Sequence, residues 1–506
     1  MELLTERHAD EIAGVRSCFD RILVQGTLPT LCYAEGMTAY LYRERIRIFD
    51  YARFAQPLGE QLKQNAERWA SENGLTVEFI RKANFRKEDE VRARLEKRGT
   101  HPGLVCIFSA LERCSTYQPW HDKKTGKTYL RPHDGKCLHY YFYFIDEDLG
   151  LVFVRVPTWC PFRLQIYFNG HAWLARQLRR QGIAYRLEDN AFVEIADWPR
   201  AQQLADAWNI KSLQEKLDAF ARRYCPVIID LGFTYHWSLD QVEYATDLVF
   251  RDRKRLQPLY EALIRTAIHT VKPENIATFL GRKFSRGYTG EMGSQLQTRI
   301  EGTRIKHQMG PVALKMYDKF GHILRLETTV NDVSFFQHYR WVEQKNGQRV
   351  TRWASMRKSI YSLPPLWERL VAANRRYLEF LSALQDPRPG LDKLQRLTQT
   401  LRQQQRSYPG FNFFAAHDLR LFETLARGEY NLHGFQNQHL RQHLSGKNSG
   451  QVSRLLKRLR LHGLIKKVSR NYRYYLTSFG KQILTAGLKL RNLVLIPQLA
   501  PSPQPS

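Results

Sequence analysis

Acids are missing where the chain is most basic. From Tyr430 to Ser506 there are thirteen Lys or Arg and no Asp or Glu. A solvated surface normally mixes both signs, so this stretch has its counter-ion outside the chain, and phosphate is the natural choice. Paired cysteines are missing too. The seven (Cys18, Cys32, Cys106, Cys114, Cys137, Cys160, Cys225) are scattered, with no Cys-x-x-Cys, which argues against a disulfide framework or zinc ribbon and predicts reduced thiols in a cytosol. No apolar run is long. Leu138–Ile145 spans eight residues, far short of the roughly 20 a bilayer needs, so no membrane partner is expected. The opening MELLTERHADEIAG places acids where an export signal needs basic residues, and a cytoplasmic protein is predicted.

Several catalytic signatures are also missing. There is no Gly-x-Ser-x-Gly elbow, which removes the commonest hydrolase chemistry. Lys123–Thr128 ends like a phosphate-binding loop, but the first glycine of that motif would fall on His121 and Pro132 blocks the following helix, so no nucleotide triphosphate site is read there. None of the sixteen histidines is followed two positions later by another.

What is present is a long, basic, foldable chain. Its 506 residues are 43% apolar and carry a formal charge of +29, which predicts two to four domains and a polyanionic partner. In the first part, strand-like Phe19–Gln25, Thr76–Ile80 and Gly103–Ser109 alternate with helical 36–45, 54–72 and 86–97, followed by a hairpin of 138–145 and 151–157 around an acidic turn. That alternation predicts an α/β layer with a partly parallel sheet. After Pro161 a helix is expected to run toward Gln181. It would carry Arg163, Arg176 and Arg179 beside Tyr167, Phe168 and Trp173, a mix that suits a nucleic-acid groove and keeps RNA open as a partner.

The middle part turns helical from Trp237, with apolar spacing through Val242, Ala245, Leu248 and Val249, and again over 256–271. Val312–Lys319 and His322–Val330 then alternate around Phe320-Gly321 as a hairpin. One strand sets Lys315, Tyr317 and Lys319 on one face, within cross-strand reach of Arg325 and Glu327. This Lys-x-Tyr-x-Lys strand followed by Leu-Arg-x-Glu resembles the corresponding strands of plasmid and filamentous-phage replication initiators. The resemblance implies nicking of DNA through a tyrosine. Tyr317 would be the nucleophile, Lys319 or Lys315 would stabilise the developing charge, and Glu327 with His307 would form part of a site for Mg2+ or Mn2+. No other cofactor is expected. Helices are predicted over 366–384 and 391–406, and Ser407–Gly410 reads as a hinge.

The final part predicts helices over 416–427 and 437–444. A basic helix follows, with Val452, Leu455, Leu456 and Leu459 inward and Arg454, Lys457, Arg458 and Arg460 mainly off that stripe. Gly463 ends it, Asn448 or Ser449 caps it, a Lys466–Leu476 hairpin turns at Ser469-Arg470-Asn471, and Thr477 caps a last helix through Leu490. The segment VSRLLKRLRLHGLIKKVSRNYRYYLTSFGKQIL resembles the winged helix-turn-helix of multiple-antibiotic-resistance regulators. That resemblance implies major-groove docking by the helix, through Asn448, Gln451, Arg454, Lys457 and Arg458. It also implies phosphate or minor-groove contact by the wing, through Lys466, Lys467, Arg470, Asn471, Tyr472 and Arg473. A homodimer is one arrangement it implies.

These readings predict an α/β multidomain chain. Its parts are an N-terminal α/β domain with a mixed sheet (1–205), a mixed α+β middle domain (206–406), a C-terminal winged helix (411–492) and a disordered tail (493–506). The whole chain is similar in character to bacterial mobile-element proteins with a terminal winged helix. The expected function is DNA binding through that helix, with processing of the strand by replication-initiator or transposase-like chemistry. The alternatives are a winged-helix transcription regulator with a large sensing domain, or an RNA-binding component of a ribonucleoprotein.

Overall fold

The computed structural model describes residues 3–82, 84–283, 288–299, 302–385, 388–468 and 472–499. The chain divides into two compact units, Met1–Gln385 and Asp386–Ser506. No helix among the described residues is long and apolar enough to cross a membrane.

The first unit is mixed α/β, built on one large sheet. Its strands in chain order are β1 (Ile12–Thr27), β2 (Val77–Phe79), β3 (Gly103–Asp122), β4 (Lys127–Asp146), β5 (Gly150–Pro157) and β6 (Leu164–Phe168). A separate hairpin, β7 (Tyr185–Glu188) and β8 (Ala191–Ile195), precedes β9 (His236–Phe250), β10 (Met292–Arg299), β11 (Gly302–Met309), β12 (Val312–Lys319) and β13 (Ile323–Val330). A second free ribbon follows, β14 (Gln337–Glu343) with β15 (Arg349–Ser355). The eleven sheet strands lie in the order β10-β11-β12-β13-β9-β1-β6-β5-β4-β3-β2. Only the edge pair β2–β3 is parallel, so the expected parallel content shrinks to one short edge strand.

The boundary expected at 205/206 falls inside this sheet, because β9 lies between β1 and β13. Residues 237–249 are therefore strand and not helix. Their apolar residues look helical in spacing because β9 is central in the sheet and covered on both faces, with Val242 and Leu248 on one face and Ala245 and Val249 on the other. The segment after Pro161 also departs from expectation: Tyr167 and Phe168 are on β6, and the helix starts only at Gly170. The phosphate-loop look-alike Lys123–Thr128 is the tip of the long β3–β4 hairpin.

The second unit begins with the helix Arg388–Thr398 and a tight ribbon, β16 (Leu401–Gln403) with β17 (Arg406–Tyr408), where helix was expected to 406. The hinge expected at 407–410 is packed: Tyr408 is buried, and a Cβ on Gly410 would sit 1.9 Å from the Thr398 carbonyl oxygen. Helices Ala416–Leu425, Gly428–His433, Asn437–His443 and Ser449–Leu461 follow, then the hairpin β18 (Ile465–Val468) with β19 (Arg473–Leu476) and the helix Ser478–Lys489. Phe435 bridges to Tyr474 and extends the hairpin by one rung. Leu421, Phe422, Leu440, Val452, Leu456, Leu459 and Leu484 close the core. Helical backbone continues through Leu490–Leu495 and Ile496–Leu499, so the tail expected to be disordered from 493 is ordered at least to Leu499.

Gly463 at φ +74° ends the helix Ser449–Leu461. The amides of Gly463 and Leu464 bond the carbonyls of Arg460 and Leu459, at 3.0 and 2.9 Å, the paired closure that a left-handed residue permits. The turn aims the hairpin back along the helix.

Candidate active-site cleft and nucleic-acid interface

The helix Leu363–Gln385 covers one face of β9 and β13. Its Asn374 amide donates to the carbonyls of Tyr244 and Leu326, both at 3.2 Å, and its oxygen accepts from Thr328 at 2.6 Å. Alternation then puts Glu243 and Asp247 of β9 and Arg325, Glu327 and Thr329 of β13 on the opposite face. The register of β12 adds Lys315 opposite Glu327 and Tyr317 opposite Arg325, as the sequence predicts. Asp20 completes the group. It is the extra residue where β1 pairs Phe19 with Tyr244 and Arg21 with Glu243, and a bulge re-aims a side chain in this way.

Asp20, Glu243, Lys315, Tyr317 and Glu327 line a cleft of about 430 Å³. Tyr317 Oη donates to Glu327 Oε2 at 2.6 Å. Lys315 Nζ bonds Glu327 Oε1 and lies 3.3 Å from Glu243 Oε1. Thr329 Oγ1 donates to Glu243 at 3.1 Å, and Asn190 Nδ2 donates to Asp20 Oδ1 at 2.5 Å. Behind them Arg325, fully buried, holds Asp247 through Nε and Nη2 at 2.6 and 2.8 Å. His171, also buried, has Nδ1 3.3 Å from Asp20 Oδ1.

The electrostatics follow from these contacts. Burial and then the Glu327 charge hold the Tyr317 phenol well above its ordinary value, so it is a neutral donor. Burial and then Glu327 also raise Glu243. Asp20 and Asp247 go the other way: burial opposes ionisation, but Arg325 and His171 together with their other partners outweigh it and hold both below the usual carboxylate range. One oxygen each from Asp20, Glu243 and Glu327 lie within 4.8 Å of one another. Hard carboxylate oxygens at that spacing fit Mg2+ or Mn2+ in type. The Lys315 ammonium already touches two of the three, so an ion and this amine would compete for the same oxygens.

Other expected participants are elsewhere. His307 points to the opposite face of β11, where Nδ1 meets Ser294 Oγ at 2.7 Å and Nε2 meets Tyr377 Oη at 2.9 Å. Burial lowers its pKa to about 4, and it cannot join Glu327. Lys319 is at the rim of the cleft, paired with Asp189 at 3.1 Å. The acidic turn is neutralised by Lys216 and Arg180, which pair with Asp146 and Asp148.

The expected aromatic-basic groove at 161–181 does not form. Phe168 is fully buried, Tyr167 stacks on Phe153 at 5.3 Å, and Trp173 stacks on Trp208 at 4.3 Å. Arg163 and Arg176 donate to the carbonyls of Cys32 and Thr100, at 2.7 and 3.0 Å. Arg179 is exposed and reaches Tyr185 Oη at 3.4 Å.

No family model, curated protein or solved structure matches the chain.

On the helix Ser449–Leu461 and the hairpin of the second unit the exposed cations are Arg454 and Arg460, and Lys466, Lys467 and Arg473. Lys457 is half-buried over the Tyr408 ring, 5.6 Å from its centroid. Lys467 lies 3.8 Å from the centroid of exposed Tyr472. None of these cations has a carboxylate partner among the described residues. Asn448 and Gln451 are both exposed, but each side-chain oxygen accepts the other's backbone N–H at 2.9 Å, a capping box that leaves only their amide NH2 groups outward. Arg458 departs from expectation. It is buried, with Nη1 and Nη2 on Asp418 at 2.9 and 3.0 Å and Nε on the Pro409 carbonyl at 2.9 Å. Its backbone position turns it inward, and it holds the unit together. Arg470 and Asn471 lie outside the described residues.

Asp20, Glu243 and His171 were not found from the sequence. Asp20 is the extra residue of a bulge on β1, and Glu243 lies on β9, where a helix was expected. The only signal for His171 is its place at the start of a helix, capped by Asn169.

Proposed function

We propose that the chain is a DNA-binding protein of a mobile or plasmid-like element, which docks a duplex on a winged helix in its second unit and processes a strand in the carboxylate cleft of its first. The observation that carries the binding half is the set of five exposed, unpaired cations on one helix and its following hairpin. The order of helices, hairpin and helix supports the winged-helix reading, with Arg454 toward bases and Lys466, Lys467 and Arg473 toward phosphates. Gel-shift titration against a genomic fragment library tests it. A preferred fragment above nonspecific, salt-sensitive binding is expected, and binding that is uniform across fragments would reject site recognition.

The cleft supports strand nicking. The Tyr317 oxygen attacks phosphorus, its proton passes to Glu327 Oε2, and the displaced sugar oxygen leaves with a proton from Lys315, giving a phosphotyrosine and a free sugar hydroxyl. Asp20, Glu243 and Glu327 would hold a divalent cation, which supplies charge stabilisation at the phosphate. Incubating the protein with single-stranded and supercoiled DNA plus magnesium or manganese should give a covalent adduct that Tyr317→Phe abolishes. An adduct that survives this substitution would place the chemistry elsewhere. Tyr167, Phe168 and Trp173, the rings on which the RNA alternative rests, are used within the fold, and sequencing the nucleic acid that co-purifies with the protein separates DNA from RNA.

A further inference from the structure

The free ribbon β14–β15 belongs to neither site. Its strands pair Tyr339 with Trp353 and Trp341 with Thr351, so alternation places Tyr339, Trp341 and Trp353 on one face. All three are open to solvent, at 63%, 66% and 58% exposure. Such rings are normally covered, and three on one face of a two-stranded ribbon form a patch that requires a partner. Tyr339 and Trp353 meet edge to face with centroids 6.4 Å apart. Tyr339 and Trp341 are two residues apart, about 6.7 Å along a strand. That gap is close to twice the roughly 3.5 Å contact distance of carbon atoms, enough to admit one flat ring.

The charge around this patch selects the partner. Between Gln337 and Lys358 lie six Lys or Arg and a single acid, Glu343. On the reverse face of the ribbon Arg340 faces Arg352 directly across the ladder, an arrangement that repels unless an anion intervenes. Neither has a carboxylate partner among the described residues. Arg340 is held by the carbonyls of Ser355 and Trp341, at 2.9 and 3.0 Å. Burial, then Arg357 and Arg352, depress its pKa, the sign of a cation crowded by its own kind. Arg369 lies 5.1 Å from the centroid of the Trp353 ring.

We infer that the β14–β15 ribbon binds single-stranded nucleic acid, with Tyr339, Trp341 and Trp353 stacking on bases, Arg369 beside Trp353 drawing a phosphate, and Arg340 and Arg352 on the reverse face adding to the positive field that attracts the strand. The inference stands on the ribbon alone and does not require the duplex-binding surface of the second unit.

The test is fluorescence anisotropy of a labelled 15-nucleotide oligothymidylate titrated with the full chain, beside an abasic oligomer of the same length and a duplex. Trp341→Ala and Trp353→Ala should each weaken oligothymidylate binding roughly 5- to 150-fold, the range expected for loss of one base–aromatic stack. Both should leave duplex binding unchanged, and Trp341→Phe should retain most of the affinity. Both positions are exposed, and unchanged circular dichroism will confirm folding. Equal affinity for the abasic oligomer would overturn the inference, because charge alone would then explain binding. So would ribbon variants that bind oligothymidylate normally, including any that change only the sedimentation coefficient and so mark the face as a contact between two copies. Loss of duplex binding in Arg454→Ala with oligothymidylate binding intact would separate the two surfaces.

Discussion

His171 stands between two buried carboxylates, 3.3 Å from Asp20 and 3.9 Å from Asp247. Burial opposes its charge, but the Cys18 sulfur and then the two carboxylates outweigh it and raise the pKa to about 9. A histidine raised from its ordinary value of about 6.5 stabilises the fold fully below pH 6.5 and loses that contribution as pH climbs through 9. At about 1.4 kcal/mol per pKa unit the loss is on the order of 3 kcal/mol. Urea midpoints of the full chain, followed by tryptophan fluorescence, should therefore fall between pH 6.5 and 9.5. In His171→Gln this alkaline slope should flatten. A parallel slope in the variant would assign the titration to another group. On the acid side Asp20 and Asp247 act oppositely: their depressed values stabilise above the usual carboxylate range, and that contribution is lost on acidification.

At the level of elements, Arg458 ties the helix Ser449–Leu461 to the helix Ala416–Leu425 through Asp418 and to the chain at Pro409 and Gly410. Removing one partner of a buried ion pair leaves the other unpaired and costs about 3–5 kcal/mol. Arg458→Ala should accordingly lower the urea midpoint and speed amide exchange along the helix Ser449–Leu461, whereas exposed Arg454→Ala should change stability by less than about 0.5 kcal/mol. Equal small effects from both would mean that Arg458 is not the tie. Much of this unit was legible in sequence, because short helices with their own caps and a local hairpin are encoded by neighbours: Asn448, Gly463 and Thr477 occupy the positions their chemistry predicts. The Lys315–Glu327 and Tyr317–Arg325 pairs were legible for the same reason. The strand character of β9 was not, since it depends on partners more than 70 residues away on either side, and burial of both faces removes the alternation that would mark a strand. Arg458 misled because a helical stripe gives the direction of a side chain only to within a turn's edge. The aromatic ribbon carries a readable signal, the alternating Tyr339-Arg340-Trp341 and Arg352-Trp353 around Asn346-Gly347.

Across the whole molecule, charge and chemistry are segregated. The carboxylate cleft belongs to the first unit, and the acid-free stretch of thirteen cations to the second. If the second unit grips a duplex through phosphates, its affinity must fall with salt, each phosphate contact adding about 0.9 to the slope of log K against log salt. The most direct measurement is anisotropy titration of the full chain on its preferred duplex at several salt concentrations, for the native protein, Arg454→Ala and Lys467→Ala. Weaker binding is predicted for both variants, with the slope reduced by about 1 for each lost phosphate contact. Unchanged affinity and unchanged slope in both would contradict a duplex-facing role for this helix and hairpin.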